Sequence, residues 1–234
     1  NISSFLPRLV TAMIYSKQIT TFYQQNGYIT IDDVFTVDQI RELRVVTDKF
    51  VNESRVVEKD NAIFVLESNH SPQHPMLKRI NEPHKIDSVY RDLVYNNKLL
   101  DIIELLIGPN IRLQDTKLNM KASRGGQEVS WHTDWGHYPH TNDDLLAVGI
   151  PLDDMTEENG CLLVIPGSHK YPETNHHENG VFVGAVNHDS IDTHRSTSLT
   201  VKSGGISVHH VRTLHASAPN RSNSQRRLLL LSYR

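Results

Sequence analysis

The sequence is poor in cysteine, in long apolar runs and in clustered positive charge. Of its 234 residues only Cys161 is a cysteine, which excludes a disulfide within this sequence and is typical of a reducing compartment. A prominent apolar run, residues 99–107, is interrupted by acids and is far shorter than the roughly 20 residues of a membrane span. The formal net charge is −3 and the 24 basic residues are scattered, so no basic surface for nucleic acid is expected. We therefore expect a cytoplasmic protein with neither a membrane nor a nucleic-acid partner.

The first 31 residues carry only two charged side chains, Arg8 and Lys17, among several serines and threonines. This composition is similar to that of a transit peptide, but an ordinary amphipathic segment is the favoured interpretation. A chain of this length can bury a core of its own, so we expect a single domain over residues 1–234. Its first part, residues 1–110, is expected to be mostly helical.

Two helices are predicted in that first part. Thr36 and Gln39 have the spacing of a capping box, and an apolar helical face follows them: Ile40, Leu43, Val46 and Phe50. A second helix is predicted from about residue 87 to residue 107, where Gly108 and Pro109 stop it. Neither helix carries obvious chemistry.

After Pro109 the pattern changes to short apolar runs separated by Gly, Pro, Asn and Asp. Regularly spaced short strands of this kind indicate an antiparallel sandwich or barrel. The fold class is therefore predicted to be mainly β, with a core over residues 111–234 and the N-terminal helices packed against its sheet.

The stretch SWHTDWGHYPHT, residues 130–141, carries a candidate metal site. In a strand, residues i and i+2 point to the same face, so His132 and Asp134 would project together. With a second histidine from elsewhere they would form the facial triad that binds non-haem iron(II) and leaves three positions open. Among 14 histidines the spacing alone is a weak signal, because such a pair is more often simply hydrogen-bonded. Near the C-terminus His215, Ser217 and Arg226 follow one another at informative spacings.

Taken together, these residues resemble the phytanoyl-CoA dioxygenase family of iron(II)- and 2-oxoglutarate-dependent oxygenases. The resemblance rests on His132-x-Asp134, the stretch NGCLLVIPGSHK at residues 159–170, the strand SGGISVHH, and His215-x-Ser217 with Arg226. It covers about residues 111–234 and implies that their core is a double-stranded β-helix, the jelly-roll or cupin-like fold.

The resemblance also implies roles for individual residues. His132, Asp134 and His215 would bind iron(II), with His209, His210 and His169 as the competitors for the third position. The cosubstrates would be 2-oxoglutarate and O₂. A buried dicarboxylate needs a fixed cation with fork geometry, which favours Arg226 over Arg227 because Arg227 would alternate to the other face.

Two further residues are expected to contact the 2-oxoglutarate. Ser217 lies two residues after His215 and could add a hydroxyl to the same carboxylate, and Asn119 matches a family position that approaches 2-oxoglutarate. His176 and His177 lie in the polar stretch PETNHHENG and are expected to be solvated.

The expected reaction is hydroxylation of an unactivated carbon in a small molecule. Related halogenases replace the carboxylate ligand by a small residue, and here Asp134 is present. In the strand RLQDTKLNMK, Asp115 and Lys117 share a face with Asn119 and would enter the cavity. An acid and a base side by side favour a small zwitterion of the amino-acid, ectoine or aminophosphonate type, unless the two simply pair with each other.

Three aromatic residues after the metal strand are candidates for lining the mouth of the site and contacting substrate: Trp135, His137 and Tyr138. Packing is the alternative role for each of them. An acyl-CoA, lipid-like or secondary-metabolite substrate stays open as an alternative, although no basic cluster for a CoA phosphate is evident. Two further alternatives are a jelly-roll protein that binds metal or ligand without turnover, and a structural domain whose site has lapsed.

Overall fold

The computed structural model describes residues 5–138, 140–172 and 174–234. Residues 1–4 of the predicted N-terminal segment, together with residues 139 and 173, lie outside the described residues. The helices are α1 (Phe5–Asn26), α2 (Val37–Glu53), α3 (Pro83–Ile86), α4 (Ser88–Val94) and α5 (Asn97–Ile107). The strands are β1 (Tyr28–Ile31), β2 (Phe64–Leu66), β3 (Leu77–Asn81), β4 (Leu113–Lys121), β5 (Val129–His132), β6 (Leu146–Pro151), β7 (Leu162–Val164), β8 (His177–Glu178), β9 (Val181–Phe182), β10 (Thr197–Leu199), β11 (Ile206–His210), β12 (His215–Ser217) and β13 (Arg226–Tyr233).

Two antiparallel sheets form the core of the fold. The larger has the strand order β1-β11-β6-β13-β4-β3-β2, and the smaller has the order β10-β7-β12-β5. Side chains from both sheets line one cavity, so the sheets face each other across it. This arrangement confirms the predicted mainly β fold with a double-stranded β-helix core.

The other face of the larger sheet packs against the helices. Along β4, Thr116, Leu118 and Met120 are buried, and Leu118 and Met120 join the same apolar cluster as residues of α2, α4 and α5. The intervening residues of the strand point to the cavity, as strand alternation requires. One strand thus contributes both to the core and to the candidate site.

The predicted helix after Thr36 is confirmed. The Thr36 hydroxyl accepts a hydrogen bond from the Gln39 backbone N–H at 3.2 Å, and the Gln39 side chain accepts one from the Thr36 backbone N–H at 2.9 Å. Ile40, Leu43 and Phe50 of α2 are buried. The capping box therefore fixes the start of a helix whose apolar face packs on the sheet.

The prediction of one continuous helix over residues 87–107 was wrong. Asp87 caps α4, and after α4 ends the Asn96 side chain accepts a hydrogen bond from the Leu99 backbone N–H at 3.2 Å. An asparagine that satisfies backbone donors in this way starts a new helix rather than continuing an old one. The predicted end is confirmed, because Gly108 has φ 88° directly after α5.

Three strands in the first half of the chain were not predicted. β1 pairs with β11 at one edge of the larger sheet, and β2 and β3 extend its other edge beyond β4.

Among the described residues, no helix combines the length and the apolar character that crossing a membrane requires.

Arg227 anchors β13 through a buried ion-pair network. Its Nε and Nη2 atoms lie 2.9 and 2.8 Å from the two carboxylate oxygens of Asp153, and its Nη1 atom lies 2.8 Å from Asp48. The arginine side chain is 6% exposed, whereas Asp153 is 20% exposed. Arg227 therefore stabilises the fold through ion pairs on the helix side of the sheet, while its neighbour Arg226 faces the cavity.

We expect Arg227→Met to lower the free energy of unfolding by about 3 kcal/mol, because the poorly solvated Asp153 carboxylate would lose its two closest charged hydrogen bonds and keep only Arg44, at 3.7 Å, as a cationic partner. Urea denaturation measures the change. The matched control is Arg41→Met, which removes an exposed pair with Asp38 and should cost about 0.5 kcal/mol or less. Equal losses in the two variants would contradict a structural role for the Arg227 network.

Candidate metal centre and its cavity

Three candidate ligands come together where two neighbouring strands meet. His132 is the last residue of β5, and His215, the first residue of β12, lies directly opposite it in the antiparallel register. Asp134 begins a one-turn 3₁₀ helix after β5, so the strand ends before it instead of continuing through it as predicted. One ligand atom from each of the three side chains lies within 4.8 Å of the others.

Hydrogen bonds aim the Nε2 atoms of both imidazoles at the centre. The Nδ1 atom of His132 is 2.8 Å from the Ser130 carbonyl, and that of His215 is 2.9 Å from the Thr213 carbonyl. Because a carbonyl only accepts, each Nδ1 carries the proton and each Nε2 keeps its lone pair. Both Nε2 atoms lie 3.8 Å from Asp134 Oδ1.

The protonation states also suit a metal. Burial lowers the pKa of His132 and holds the pKa of His215 well below its usual value, so both rings are neutral near neutral pH. Burial alone would raise the pKa of Asp134, but the adjacent His215 and the hydrogen-bonded His209 hold it well below its usual range. Two neutral imidazoles and a carboxylate are the forms that bind a divalent cation.

His209 lies beside this centre in a role that the sequence did not reveal. Its Nε2 atom is 3.2 Å from Asp134 Oδ2, on the opposite side of the carboxylate from the oxygen that faces the other two imidazoles. Sequence reasoning named His209, His210 and His169 as competitors for the third ligand position. The rings of His210 and His169 instead lie 5.3 Å from each other, and neither belongs to the three-residue cluster.

The centre opens onto a cavity of about 560 Å³ between the sheets. Nearly all of the site residues expected from the sequence line it: Asp115, Lys117, Asn119, His132, Asp134, His137, Tyr138, His215, Ser217 and Arg226. Trp135 is the exception and was wrongly expected at the mouth. The 3₁₀ turn directs its ring towards Arg212, whose guanidinium carbon lies 5.8 Å from the ring centroid.

Sequence reasoning missed several other lining residues: Glu67, Lys78, Arg79, Lys121, Glu128 and Ser232 among them. Lys121 could have been found, because it continues the same alternation as Lys117 and Asn119. Arg79 belongs to β3, and its Nε donates to Asn119 Oδ1 at 3.0 Å. No sequence signal indicated that β3 would pair with β4.

A buried guanidinium with unused donors occupies one part of the cavity wall. Arg226 is 3% exposed, its Nη2 donates to the Gly160 carbonyl at 3.3 Å, and its buried Nε has no partner. Burial lowers the pKa of Arg226 to about 10, so the group stays charged near neutral pH. A buried cation that forms no ion pair with any acid of the described residues is suited to an anionic ligand.

An acid and a base on β4 line another part of the wall. The Tyr138 hydroxyl donates to Asp115 Oδ2 at 3.1 Å, whereas Asp115 Oδ1 is buried without a partner. Asp115 and Lys117 do not pair with each other, although mutual pairing was the alternative interpretation of the sequence. Both charges are therefore available to a bound molecule.

The prediction that His176 is solvated was wrong. Its side chain is 4% exposed, and its Nε2 accepts a hydrogen bond from the Thr133 backbone N–H at 3.0 Å. A Cβ at Gly136 would come within 2.8 Å of the His176 ring, so the missing side chain makes room for it. His176 thereby supports the segment between His132 and Asp134. His177 is exposed, as expected.

The chain is similar in sequence to a known oxygenase family. The profile described as "Phytanoyl-CoA dioxygenase (PhyH)" matches residues 23–228. A protein of Stutzerimonas stutzeri named "Probable alpha-ketoglutarate-dependent hypophosphite dioxygenase" is 35% identical over 90% of this chain and 76% of its own length. The ectoine dioxygenase of Sphingopyxis alaskensis is 27% identical over 68% of this chain and 51% of its own, so the match spans about half of that relative.

Solved structures share the fold. The crystal structure of EctD from S. alaskensis with bound Fe superposes with a TM-score of 0.78 at 24% identity, covering 93% of this chain and 75% of that one. AviO1 from Streptomyces viridochromogenes Tue57 gives a TM-score of 0.74 at 22% identity, covering 93% of this chain and 94% of that one. At these identities the likeness concerns the fold alone.

Proposed function

The chain belongs to the phytanoyl-CoA dioxygenase family of iron(II)- and 2-oxoglutarate-dependent dioxygenases, and we propose that it oxidises a small charged metabolite at the centre formed by His132, Asp134 and His215. The observation that carries the proposal is the convergence of these three ligand atoms within 4.8 Å on a cavity that also holds an unpaired buried guanidinium. Two neutral imidazoles and one carboxylate are the donor set of a facial triad for iron(II).

Arg226, Ser217 and Asn119 are proposed to bind 2-oxoglutarate. The Arg226 fork has unused donors and no acidic partner among the described residues, which supports a role in binding the distal carboxylate. When bound, iron(II), 2-oxoglutarate and O₂ supply the oxidation, in which 2-oxoglutarate becomes succinate and carbon dioxide and one oxygen atom enters the substrate. The contribution of the chain is to fix the ligands, orient the substrate and exclude competing reactions.

His209 is proposed to keep the Asp134 carboxylate in one orientation. Its hydrogen bond occupies Oδ2, which leaves Oδ1 as the oxygen that faces His132 and His215. Partners of this kind orient a ligand and raise its affinity for metal. The two backbone carbonyls that fix the Nδ1 protons act in the same way on the imidazoles.

The charges on β4 support a small zwitterionic substrate. An unpaired carboxylate oxygen of Asp115 could accept from an ammonium group, and Lys117 could donate to an acid group on the same molecule. Amino acids, ectoine-type compounds and aminophosphonates have this pattern. A long acyl chain would leave these charges buried without partners, which disfavours the acyl-CoA alternative.

A second candidate is a small phosphorus oxoanion. The relative from S. stutzeri that is 35% identical is named for hypophosphite, which carries an anionic group but no ammonium. Lys117 and Arg79, which both line the cavity, supply cationic groups for such an anion. In that case Asp115 would have no favourable contact with the substrate.

A substrate panel tests the proposed function. Purified protein is incubated with iron(II), 2-oxoglutarate, O₂ and one candidate at a time, and succinate formation is scored together with the mass of the product. The proposal expects product and succinate in equal amounts for at least one small charged compound. The non-catalytic alternative would be favoured if the protein bound metal and ligand but formed no product with any compound of the panel. It would also be favoured if product formed equally well with zinc in place of iron(II).

The two substrate classes are distinguished by Asp115→Asn and Lys117→Met. For a zwitterion, each variant should raise the apparent KM about 10- to 150-fold, because each removes a charge-assisted hydrogen bond of roughly 1.5–3 kcal/mol. For a simple oxoanion, Lys117→Met should raise KM, whereas Asp115→Asn should leave it unchanged or lower it. Steady-state kinetics on both variants distinguish the two substrate classes. The affinity for 2-oxoglutarate is the internal control and should not change in either variant.

A further inference from the structure

Lys121 is a buried lysine on the cavity wall that the proposed mechanism has not used. It is the last residue of β4, is 5% exposed, and lies next to Arg226 in the β4–β13 register. Like Arg226, it forms no ion pair with an acid of the described residues. Two adjacent buried cations repel each other unless an anion lies between or beside them.

The ammonium group of Lys121 uses all of its donors on two consecutive residues, Ser217 and Ala218. Its Nζ atom donates to the Ser217 hydroxyl at 2.8 Å, to the Ser217 carbonyl at 3.4 Å and to the Ala218 carbonyl. These three acceptors match the three N–H groups of an ammonium ion. The lysine therefore ties the larger sheet to β12 and acts on a cavity ligand through Ser217.

This contact also determines the direction of the Ser217 hydroxyl. An ammonium group only donates, so the Ser217 oxygen must accept from it, and the hydroxyl proton is left for another acceptor. The described residues provide no acceptor for that proton. Ser217 lines the same cavity as Arg226, and both groups present unused donors there.

The surrounding backbone is shaped to admit this lysine. A Cβ at Gly126 would lie 2.4 Å from the Lys121 Cβ, and a Cβ at Gly160 would lie 3.2 Å from its Nζ. Gly160 also supplies the carbonyl that accepts from Arg226. Gly126 therefore lets its backbone pass close to the backbone of Lys121, and Gly160 leaves space first for the Ala218 carbonyl, which accepts from the Lys121 ammonium group.

We propose that Lys121 is a positioning residue for 2-oxoglutarate, which orients the Ser217 hydroxyl towards the distal carboxylate and adds a second positive charge beside Arg226. This inference rests on the proposed function, because it takes 2-oxoglutarate as the anion. It assigns Lys121 no part in binding iron(II), which His132, Asp134 and His215 would hold, or in binding the 2-oxo acid group.

The inference implies that 2-oxoglutarate binding is coupled to the protonation of Lys121. Burial, with a further contribution from Arg226, lowers the pKa of Lys121 to about 7, and Cys161 and Glu128 are the nearby groups that oppose the shift. A bound carboxylate raises that pKa, because it favours the ammonium form. Affinity should thus be constant below about pH 7 and fall as the pH rises, by up to about tenfold per pH unit.

The test is an anaerobic titration of the iron(II) protein with 2-oxoglutarate from pH 6 to 9, followed by the visible charge-transfer absorbance of the complex. The matched probe is 2-oxobutyrate, which has the same 2-oxo acid group but no distal carboxylate. Wild-type protein should lose affinity for 2-oxoglutarate as the pH rises, relative to 2-oxobutyrate. Lys121→Met should weaken the binding of 2-oxoglutarate about tenfold near pH 6.5 and leave the binding of 2-oxobutyrate unchanged. The affinity for 2-oxoglutarate relative to 2-oxobutyrate should then no longer depend on pH.

A double-mutant cycle separates positioning from a purely additive charge. If Lys121 acts through Ser217, the losses of 2-oxoglutarate affinity in Lys121→Met and Ser217→Ala should be clearly less than additive in the double variant, and fully additive losses would overturn the positioning role. The inference is overturned if Lys121→Met binds 2-oxoglutarate as wild type does, or weakens both 2-oxo acids equally. The wild-type pH profile needs no variant, so a misfolded variant leaves that test in place. Wild-type protein that binds neither 2-oxo acid would overturn the proposed function itself.

Discussion

His215→Ala is expected to abolish both stoichiometric iron(II) binding and turnover. The variant removes one of three ligand atoms that lie within 4.8 Å of one another, and Asp134→Ala and His132→Ala should have the same effect. No other histidine, cysteine or acid of the described residues belongs to the cluster, and the nearby His209 already uses its Nε2 atom on Asp134 Oδ2. Iron content after anaerobic loading and gel filtration, measured together with succinate formation, checks the prediction.

Two further histidine variants test whether the loss of iron is specific to the three proposed ligands. His210→Ala should keep iron, because its ring lies near His169 and outside the ligand cluster. His209→Phe should bind iron about 10- to 100-fold more weakly, since it loses the partner that orients Asp134. Normal turnover by purified His215→Ala would show that the third ligand had been assigned to the wrong residue.

Arg226→Met is expected to raise the dissociation constant of 2-oxoglutarate by roughly 10- to 150-fold, which corresponds to the loss of a charge-assisted hydrogen bond of about 1.5–3 kcal/mol. The guanidinium is 3% exposed and its Nε has no partner in the protein, so an anion is the ligand that would use it. Binding of 2-oxobutyrate, which lacks the distal carboxylate, should be nearly unchanged. Titration of the iron(II) protein with both acids measures the difference.

The matched control for that prediction is the next residue along β13. Arg227→Met should reduce stability but leave the affinity for 2-oxoglutarate nearly intact, because Arg227 pairs with Asp153 and Asp48 on the other face of the sheet. The affinity of Arg226→Lys for 2-oxoglutarate should lie between those of Arg226→Met and wild type, since lysine keeps the charge but lacks the planar guanidinium. An unchanged dissociation constant of 2-oxoglutarate in Arg226→Met would show that a cation other than Arg226 binds the distal carboxylate.

Strand alternation, combined with the resemblance to the oxygenase family, predicted most of the residues that face the cavity. His132 and Asp134 were grouped by the i, i+2 spacing of a strand, although β5 ends at His132, and the cavity face of β4 followed from the family position that Asn119 matches. The same rule distinguished Arg226 from Arg227 before either contact was known. It would also have included Lys121, so the omission of that residue was a failure to extend a pattern that was present.

Other features depend on contacts that no local pattern encodes. His176 meets Thr133 across 43 residues, and its burial arises from space left by Gly136. Trp135 turns away from the cavity because β5 ends at His132 and a 3₁₀ turn follows. The helix break at Asn96 reflects competition between a capping side chain and a continuous helix, and apolar periodicity alone does not reveal which of the two prevails.

The proposed site would hold one iron(II) per chain through His132, Asp134 and His215 and would bind 2-oxoglutarate beside it. An anaerobic titration of the iron(II)-loaded protein with 2-oxoglutarate, followed by visible absorbance, tests it most directly. We expect a charge-transfer band that saturates with one 2-oxoglutarate and one iron per chain, and that is absent in His215→Ala. A wild-type protein that gives no band, or a His215→Ala variant that gives the same band, would contradict it.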